Sequence, residues 1–370
     1  MKLFEPYIVN GKLKLENRIM MPPLVTRLAN ESGNITEDLV ERYLLYARGG
    51  VGLIVTEAIS VKKQKSGPLL RLSDDSFISG LKALTERIHG ETKASIGPQL
   101  IHFLKISRSG YRQRVEDLTL EEIREIPHLF SRAASRARQA GFDSVELHFA
   151  HAYTMSSFLS RHNKRTDDYG GTMNNRLHLA EEVVEVARKA VGDDFLLGAR
   201  INGEEFTLGG NTLKQSRIIA LRLAEVGLDY ISVSAGGKFE DAVHSEGRTL
   251  DPYTSGYSGI RAMPPAWMPE RVNVYLCSDL KKTLVEKGYH IPMVTAGRIP
   301  TAYAAEQIIE NGEADMVAIA RPILCDPFWP KKYMEGRGRD VLKCAYCNEC
   351  RDLDAAHEKV VCIQWKGNLK

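Results

Sequence analysis

Eight short apolar runs alternate with seven amphipathic stretches along this chain, and that alternation limits the fold more than any other feature. Ile19–Met21, Leu53–Thr56, Ser95–Leu100, Ser144–His148, Phe195–Arg200, Tyr230–Ser234, Met293–Ala296 and Met316–Ile319 read as strands. Between them Glu37–Arg48, Asp75–His89, Leu120–Ala140, Asn175–Ala190, Leu213–Val226, Asp279–Glu286 and Ala302–Glu310 read as helices. Thr119 with Glu122 makes a capping box, and Gly141 and Gly227 stand where helix ends want a left-handed residue. After the eighth strand, Pro327 and Pro330 delay the next helix. Parallel neighbours need helical crossovers, and eight βα units in a row predict a (β/α)8 TIM barrel. An open doubly wound sheet would carry Gly-x-Gly-x-x-Gly after its first strand; here Met21-Pro22-Pro23-Leu24 follows.

Length and charge narrow the function. At 370 residues and 43% apolar content, one large barrel is affordable. The net charge is only +3, with Lys and Arg dispersed, which argues against nucleic acid and against an anionic membrane surface as partners. Met1–Pro6 holds no apolar signal region, and no stretch approaches about 18 uninterrupted apolar residues. A cytoplasmic protein is expected, and a homo-oligomer is compatible with it. We divide the chain into a barrel over residues 1–335 and a cysteine-rich tail over 336–370, joined by Gly336-Arg337-Gly338.

In such a barrel the chemistry sits where the strands end. The fourth strand delivers His148, with His151 and Tyr153 on the turn that follows. Two imidazoles can hold a carbonyl or phenolate oxygen, and a phenol can deliver a proton; the plain alternative is a satisfied core histidine pair. The first strand leads to Pro23, Val25 and Thr26, the second to Glu57, the third to Gln99 and His102, and the fifth to Arg200. Gln99 and Arg200 suit a polar heterocycle, unless Arg200 is spent on a buried carboxylate such as Glu57 or Glu204. The seventh and eighth deliver Gly297-Arg298 and Ala320-Arg321. Phosphate sites in this fold are commonly built there, and two arginines beside an approachable backbone suit a phosphate dianion. The long irregular stretch Ala235–Leu276, with Phe239, Tyr253, Tyr257 and Trp267, is expected to form a packed lid over the substrate.

Several segments together carry a resemblance: Leu3-Phe4-Glu5-Pro6, Asn17-Arg18-Ile19-Met20-Met21-Pro22-Pro23, His148-x-x-His151-x-Tyr153, Phe158-Leu159-Ser160 with Asn163–Gly171, and Ala314-Asp315-Met316-Val317. Over about residues 1 to 335 the chain resembles the old yellow enzyme family of FMN-dependent ene-reductases, which take electrons from NADH or NADPH. The resemblance implies FMN at the barrel mouth. His148 and His151 would hold the activating carbonyl oxygen of an unsaturated small-molecule substrate, and Tyr153 would protonate Cα. Gln99 and Arg200 would meet the pyrimidine edge of the flavin, Pro23, Val25 and Thr26 would flank the ring, and Glu57 is expected among the cofactor-binding residues. Gly297, Arg298, Ala320 and Arg321 would hold the phosphate. Relatives often have Thr or Cys where Val25 stands; a valine donates no hydrogen bond to the flavin, and Thr26 is the neighbour placed to compensate.

Cys344-x2-Cys347-x2-Cys350-x11-Cys362 is the second signal. Three thiols at x2 spacing with a distal fourth suit a cubane iron–sulfur cluster or a four-sulfur zinc site. The tail resembles that of the branch containing 2,4-dienoyl-CoA reductase and 2-enoate reductase, which implies a four-iron–four-sulfur (4Fe-4S) cluster; zinc stays open, as does no metal. In that branch a further FAD- and NAD-binding module follows. The resemblance here ends with the tail, so a separate electron-donor protein, or direct reduction by NADH or NADPH, is expected. Reduction of an activated C=C bond, in an α,β-unsaturated carbonyl or an enoyl thioester, is the leading reading. The alternatives are an FMN/iron–sulfur dehydrogenase and an electron-transfer flavoprotein. Related amine dehydrogenases attach their flavin through a cysteine on the first-strand loop, and this chain has no cysteine before Cys277.

Overall fold

The computed structural model describes residues 1–63, 67–105, 113–238 and 256–365. It opens with a hairpin that the strand pattern did not foretell. β1 (Tyr7–Val9) pairs antiparallel with β2 (Leu13–Leu15). Asn10 (φ 46°) and Gly11 (φ 71°) fill the turn, and Lys12 N–H closes 2.9 Å onto the Val9 carbonyl. Two successive left-handed residues define a type I′ turn, for which Asn-Gly is the favoured pair. Val9 and Leu15 are fully buried against Leu53, Leu196, Tyr230 and Met316, the first residues of four barrel strands. The hairpin therefore plugs the end of the barrel from which the strands start.

The barrel strands are β3 (Ile19–Met21), β4 (Leu53–Ser60), β5 (Ser95–Ile101), β6 (Ser144–Phe149), β7 (Leu196–Asn202), β8 (Tyr230–Ser234), β9 (Met293–Ala296) and β10 (Met316–Ala318). All run parallel, and β10 pairs back to β3 to close a TIM barrel. The closing seam is short: Val317 lies opposite Ile19 and Ala318 opposite Met20. The helices in chain order are α1 (Glu37–Arg48), α2 (Ile78–Glu91), α3 (Leu120–Gln139), α4 (Thr154–Leu159), α5 (Met173–Val191), α6 (Leu213–Glu225), α7 (Gly256–Ala262), α8 (Val274–Glu286), α9 (Ala302–Glu310), α10 (Arg321–Cys325), α11 (Trp329–Met334) and α12 (Glu349–Ala355).

α8 starts earlier than the Asp279 expected, because Val274, Leu276 and Cys277 in its first turn are buried. The Thr119–Glu122 capping box forms as read. Asp326-Pro327-Phe328 separates α10 from α11, which is the delay the prolines predict. The N-terminus is tied to α9: the N–H groups of Lys2 and Leu3 each donate 2.8 Å to the Glu306 carboxylate, the second across 303 residues. Among the described residues no helix is long and apolar enough to cross a membrane.

Beyond Gly336 the chain turns back over the barrel mouth. Val360 N–H donates 2.9 Å to the Thr26 carbonyl, and Arg42 donates 3.0 Å to the Val360 carbonyl. Arg27 pairs with Asp354 at 2.8 Å, and the Trp365 indole donates 3.0 Å to the Cys325 carbonyl.

Candidate active site

A cavity enclosing about 1030 Å³ of empty space, open mouth included, lies at the carboxyl ends of the strands. Pro22–Val25 after β3, Ala58, Gln99 and Arg200 form one part of its wall. His148, His151 and Tyr153 form a second, and Ala296–Ile299 with Ala318–Pro322 form a third. Of the residues singled out from sequence, Pro23, Val25, Gln99, His148, His151, Tyr153, Arg200, Gly297, Arg298, Ala320 and Arg321 meet here. Thr26 and Glu57 do not line it.

The reason is a bulge in β4. Val55 opposes Gly97, but the next partner of Gln99 is Ala58, so Thr56 and Glu57 together face one residue of β5. The extra residue flips the alternation beyond it. Ala58 takes the inward place that strict alternation assigns to Glu57, and Glu57 turns outward. There its carboxylate accepts from Thr26 N–H at 2.8 Å and from the Thr26 hydroxyl at 2.9 Å. Burial pushes the Glu57 carboxyl up to about 7, against the lowering pull of those two bonds. With Glu57 ordinarily at 4.5, the folded chain keeps a proton between pH 4.5 and 7 that the unfolded chain releases. The Thr26 hydroxyl hydrogen is spent on Glu57, so it does not make up for Val25.

Below the cavity lies a buried polar floor. Gln99 Nε2 donates 2.7 Å to Glu146, and Tyr230 donates 3.3 Å to the other Glu146 oxygen. Arg200 donates 3.0 Å to Ser232 Oγ and 3.3 Å to Ser234 Oγ. Burial lowers the Arg200 guanidinium and Glu146 opposes that; burial likewise raises the Glu146 carboxyl and Arg200 opposes it. The carboxylate facing Arg200 is thus Glu146, not Glu57 or Glu204. Glu146 was missed in the sequence, although it stands two residues before His148 and therefore on the same barrel face.

The histidines are held as neutral donors. Burial, then the charge of Arg200, pushes His148 down to about 3; burial, then His148 and Arg200, holds His151 well below its ordinary value. Burial also holds His102 down to about 3, but that ring lies apart and meets Thr154 Oγ1 at 2.9 Å. Below an ordinary value of 6.5 the unfolded chain protonates these rings and the folded one does not, so their share of stability is lost as pH falls. His151 Nε2 lies 2.7 Å from Ser234 Oγ. Arg200 donates to the same oxygen, so Ser234 ties the imidazole to the guanidinium. The His148 and His151 ring centres are 5.1 Å apart and edge-to-face, and Tyr153 is 5.1 Å from His148. His148 Nδ1 is buried with no partner.

His151 has φ 64° and Ala152 φ 62°. A bridge to Gly237 and a 3.2 Å bond from Lys238 N–H to the His151 carbonyl hold that turn. Gly237 is required by the close approach: a Cβ there would sit 2.3 Å from His151 Cα. The aromatic lid expected over Ala235–Leu276 falls partly outside the described residues, and its described aromatics do not line the cavity. Phe239 and Tyr253 lie outside the described residues, Tyr257 is 50% and Trp267 69% exposed, and the segment contributes Ala262, Met263 and Pro264 instead.

At the far end Arg298 (φ 54°) and Arg321 converge. Gly297 precedes Arg298 at φ 116°, where a Cβ would meet Asn273 at 2.8 Å. Arg298 Nε is buried without a partner. Cys344, Cys347, Cys350 and Cys362 all line one neighbouring cavity of about 350 Å³ of empty space, together with Arg321, Tyr346 and Asn348. Among the described residues no three His, Cys, Asp or Glu side chains are placed to hold a single metal ion.

Known proteins share this architecture. The chain is 36% identical over 359 residues to NADH oxidase of Thermoanaerobacter brockii, covering 91% of this chain and 52% of that protein. It is 31% identical over 352 residues to NADPH dehydrogenase of Bacillus licheniformis, covering 89% and 93%. It is 29% identical over 388 residues to cinnamate reductase of Clostridium sporogenes, covering 94% and 55%. The chain thus spans about half the length of the first and third and nearly all of the second. In fold it matches a 2-naphthoyl-CoA reductase complex with TM-score 0.85 at 24% identity, over 98% of this chain and 56% of that one. The family described as NADH:flavin oxidoreductase / NADH oxidase matches residues 2–246 and 263–340. That match takes in every cavity-lining residue from Pro22 to Pro322 except Ala262, and the chain belongs to the NADH:flavin oxidoreductase / NADH oxidase family.

Proposed function

We propose that the chain reduces an activated C=C bond in an α,β-unsaturated carbonyl or enoyl thioester, with FMN as its cofactor and NADH or NADPH as electron source. The observation that carries this is the pairing of two neutral imidazoles with a phenol on one wall of a cavity whose far end holds two arginines. The donor set fits FMN: Gln99 and Arg200 offer N–H groups at mid-cavity, and Arg298 keeps a buried, unpartnered Nε at the phosphate end. When bound, FMN supplies a hydride from its ring N5 to Cβ. His148 and His151 bind the substrate's carbonyl oxygen through one N–H each. Being neutral, they polarise it without giving up a proton. Tyr153, 5.1 Å from His148 between ring centres, protonates Cα. The names of a cinnamate reductase and a 2-naphthoyl-CoA reductase among its relatives and structural matches support a conjugated acid or thioester as substrate.

The cysteine cavity is read as a four-iron–four-sulfur site. What supports this reading is that Cys344, Cys347, Cys350 and Cys362 all line one space and that three of them follow the x2 spacing of ferredoxin-type runs. Such a cluster would supply one-electron chemistry beside the flavin cavity and makes a separate electron-donor protein the partner to seek.

Anaerobic protein reduced with NADH or NADPH should be reoxidised by cyclohexenone or an enoyl-CoA ester, with the saturated product formed. Reoxidation by oxygen alone, with no alkene turned over, sinks the reading. Iron and acid-labile sulfide are expected in the same preparation; one zinc and no iron would make the tail a structural clip.

A further inference from the structure

Two residues of the cysteine tail reach the arginine end of the flavin cavity. Tyr346 stands between Cys344 and Cys347, and Asn348 between Cys347 and Cys350. The Tyr346 ring lies under both cations: Arg321 is 4.7 Å and Arg298 5.1 Å from its centre. Arg321 also donates to Asn348 Oδ1, while Asn348 Nδ2 donates 3.0 Å to the Met263 carbonyl. Tyr346 lines the flavin cavity and the cysteine cavity alike, as does Arg321.

The backbone is bent to achieve this. Tyr346 has φ 53° and Asn348 φ 65°. Asparagine tolerates the left-handed region, but an aromatic residue is costly there, and such strain is kept where the surroundings enforce it. Both side chains are almost wholly buried, and Tyr346 Oη, like Arg298 Nε, has no partner. Two like charges thus share one aromatic face, one of them also held by the Asn348 amide, and donors are left over. A dianion entering beside them would neutralise both cations and take those donors.

We propose that Tyr346 and Asn348 are positioning residues of the phosphate site, holding Arg298 and Arg321 in the orientation that receives the FMN phosphate. This rests on the reading that the loops after β9 and β10 bind that phosphate. The tail is then a wall of the cofactor site as well as a carrier of cysteines. Its other anchors are independent of the arginines: Val360 on Thr26, Asp354 on Arg27 and Trp365 on Cys325.

The test compares FMN with riboflavin, which lacks only the phosphate. Flavin-free protein is titrated with each, and the dissociation constants are read from quenching of flavin fluorescence. The variants are Arg321→Ala, Tyr346→Ala and Asn348→Asp. The last is nearly isosteric and keeps an oxygen on Arg321, but brings a charge that competes with phosphate. Parental protein should bind FMN at least about tenfold more tightly than riboflavin. Each variant should weaken FMN by about ten- to a hundredfold and riboflavin by less than about twofold. Loss of FMN affinity in Arg321→Ala alone overturns the role of the tail and leaves the phosphate reading standing. Equal loss of FMN and riboflavin in the tail variants also overturns it, since the tail would then act on the whole cavity. Riboflavin bound as tightly as FMN by the parental protein removes the phosphate reading and this inference together.

Discussion

Gly237→Ala probes how the histidine turn is held. A Cβ at Gly237 would lie 2.3 Å from His151 Cα, 2.4 Å from its carbonyl carbon and 2.7 Å from its oxygen. These are backbone atoms, so no rotamer change relieves them. Ordinary contact begins near ~3.4 Å, so the bridge between residues 151 and 237 must open by roughly 1 Å. The φ of 146° at Gly237 adds strain of its own. His151 would leave Ser234, now 2.7 Å away, and lose the hydrogen-bond partner that orients its ring. A misplacement of about 1 Å in a positioning group can cost ~100-fold in rate, or ~2.7 kcal/mol. We expect kcat/KM for cyclohexenone to fall by about that factor, and phenol binding to weaken by about tenfold, while FMN content stays unchanged. Stopped-flow reoxidation by the alkene and phenol difference spectra measure the two. Gly90→Ala, whose Cβ would meet nothing within 4 Å, is the neutral control. Parental rates and phenol affinity in Gly237→Ala would show that this bridge does not position His151.

Three further outcomes are expected. Tyr153→Phe should slow alkene reduction by ~100- to 10,000-fold and leave flavin reduction by NADH or NADPH nearly intact; a parental alkene rate would send the search to another proton donor. Glu57→Gln removes a group whose stabilising share falls as pH rises from 4.5 to 7, so the variant should lose stability more steeply on acidification than the parent, by about 1.4 kcal/mol per pH unit. Urea unfolding at several pH values between 5 and 6.5 measures this, and parallel slopes would refute it. Phenol affinity, corrected for ionisation of the phenol, should be flat from pH 5 to 8, because His148 and His151 stay neutral throughout; a step near pH 6.5 would contradict that.

The barrel was legible because its strands are short and apolar and alternate with helical stretches, several of which carry a start or stop signal. The β1–β2 hairpin was equally present as Tyr7–Val9, Asn10-Gly11 and Leu13–Leu15, but its three-residue strands are too short for alternation to register. The site divides along the same line. His148, Arg200 and Gln99 could be placed because they sit at the ends of apolar strands, and His151 because it follows His148 on the turn. Glu57 could not, because a bulge has no mark in the letters Val-Thr-Glu-Ala, and one unseen residue exchanges inside for outside. Glu146 was legible in parity but hidden by its own chemistry, since a lone carboxylate inside a strand reads as a break in the pattern until Gln99, Arg200 and Tyr230 are around it. Cysteine spacing announced a site in the tail and nothing about Tyr346, whose position depends on where the tail lands.

The seam between β3 and β10 has a bearing on how the protein comes apart. It is held by two paired positions, and its partners come from opposite ends of the sequence. The segments that follow its two strands, Pro22–Val25 and Ile319–Pro322, are also neighbouring parts of the cofactor cavity's wall. A molecule seated there clamps the first strand to the last. Cofactor loss should therefore release the barrel at one stave rather than soften it evenly, and amide exchange should quicken first along Ile19–Met21 and Met316–Ala318. The cofactor that makes the protein an enzyme would then also be the hoop that keeps it shut.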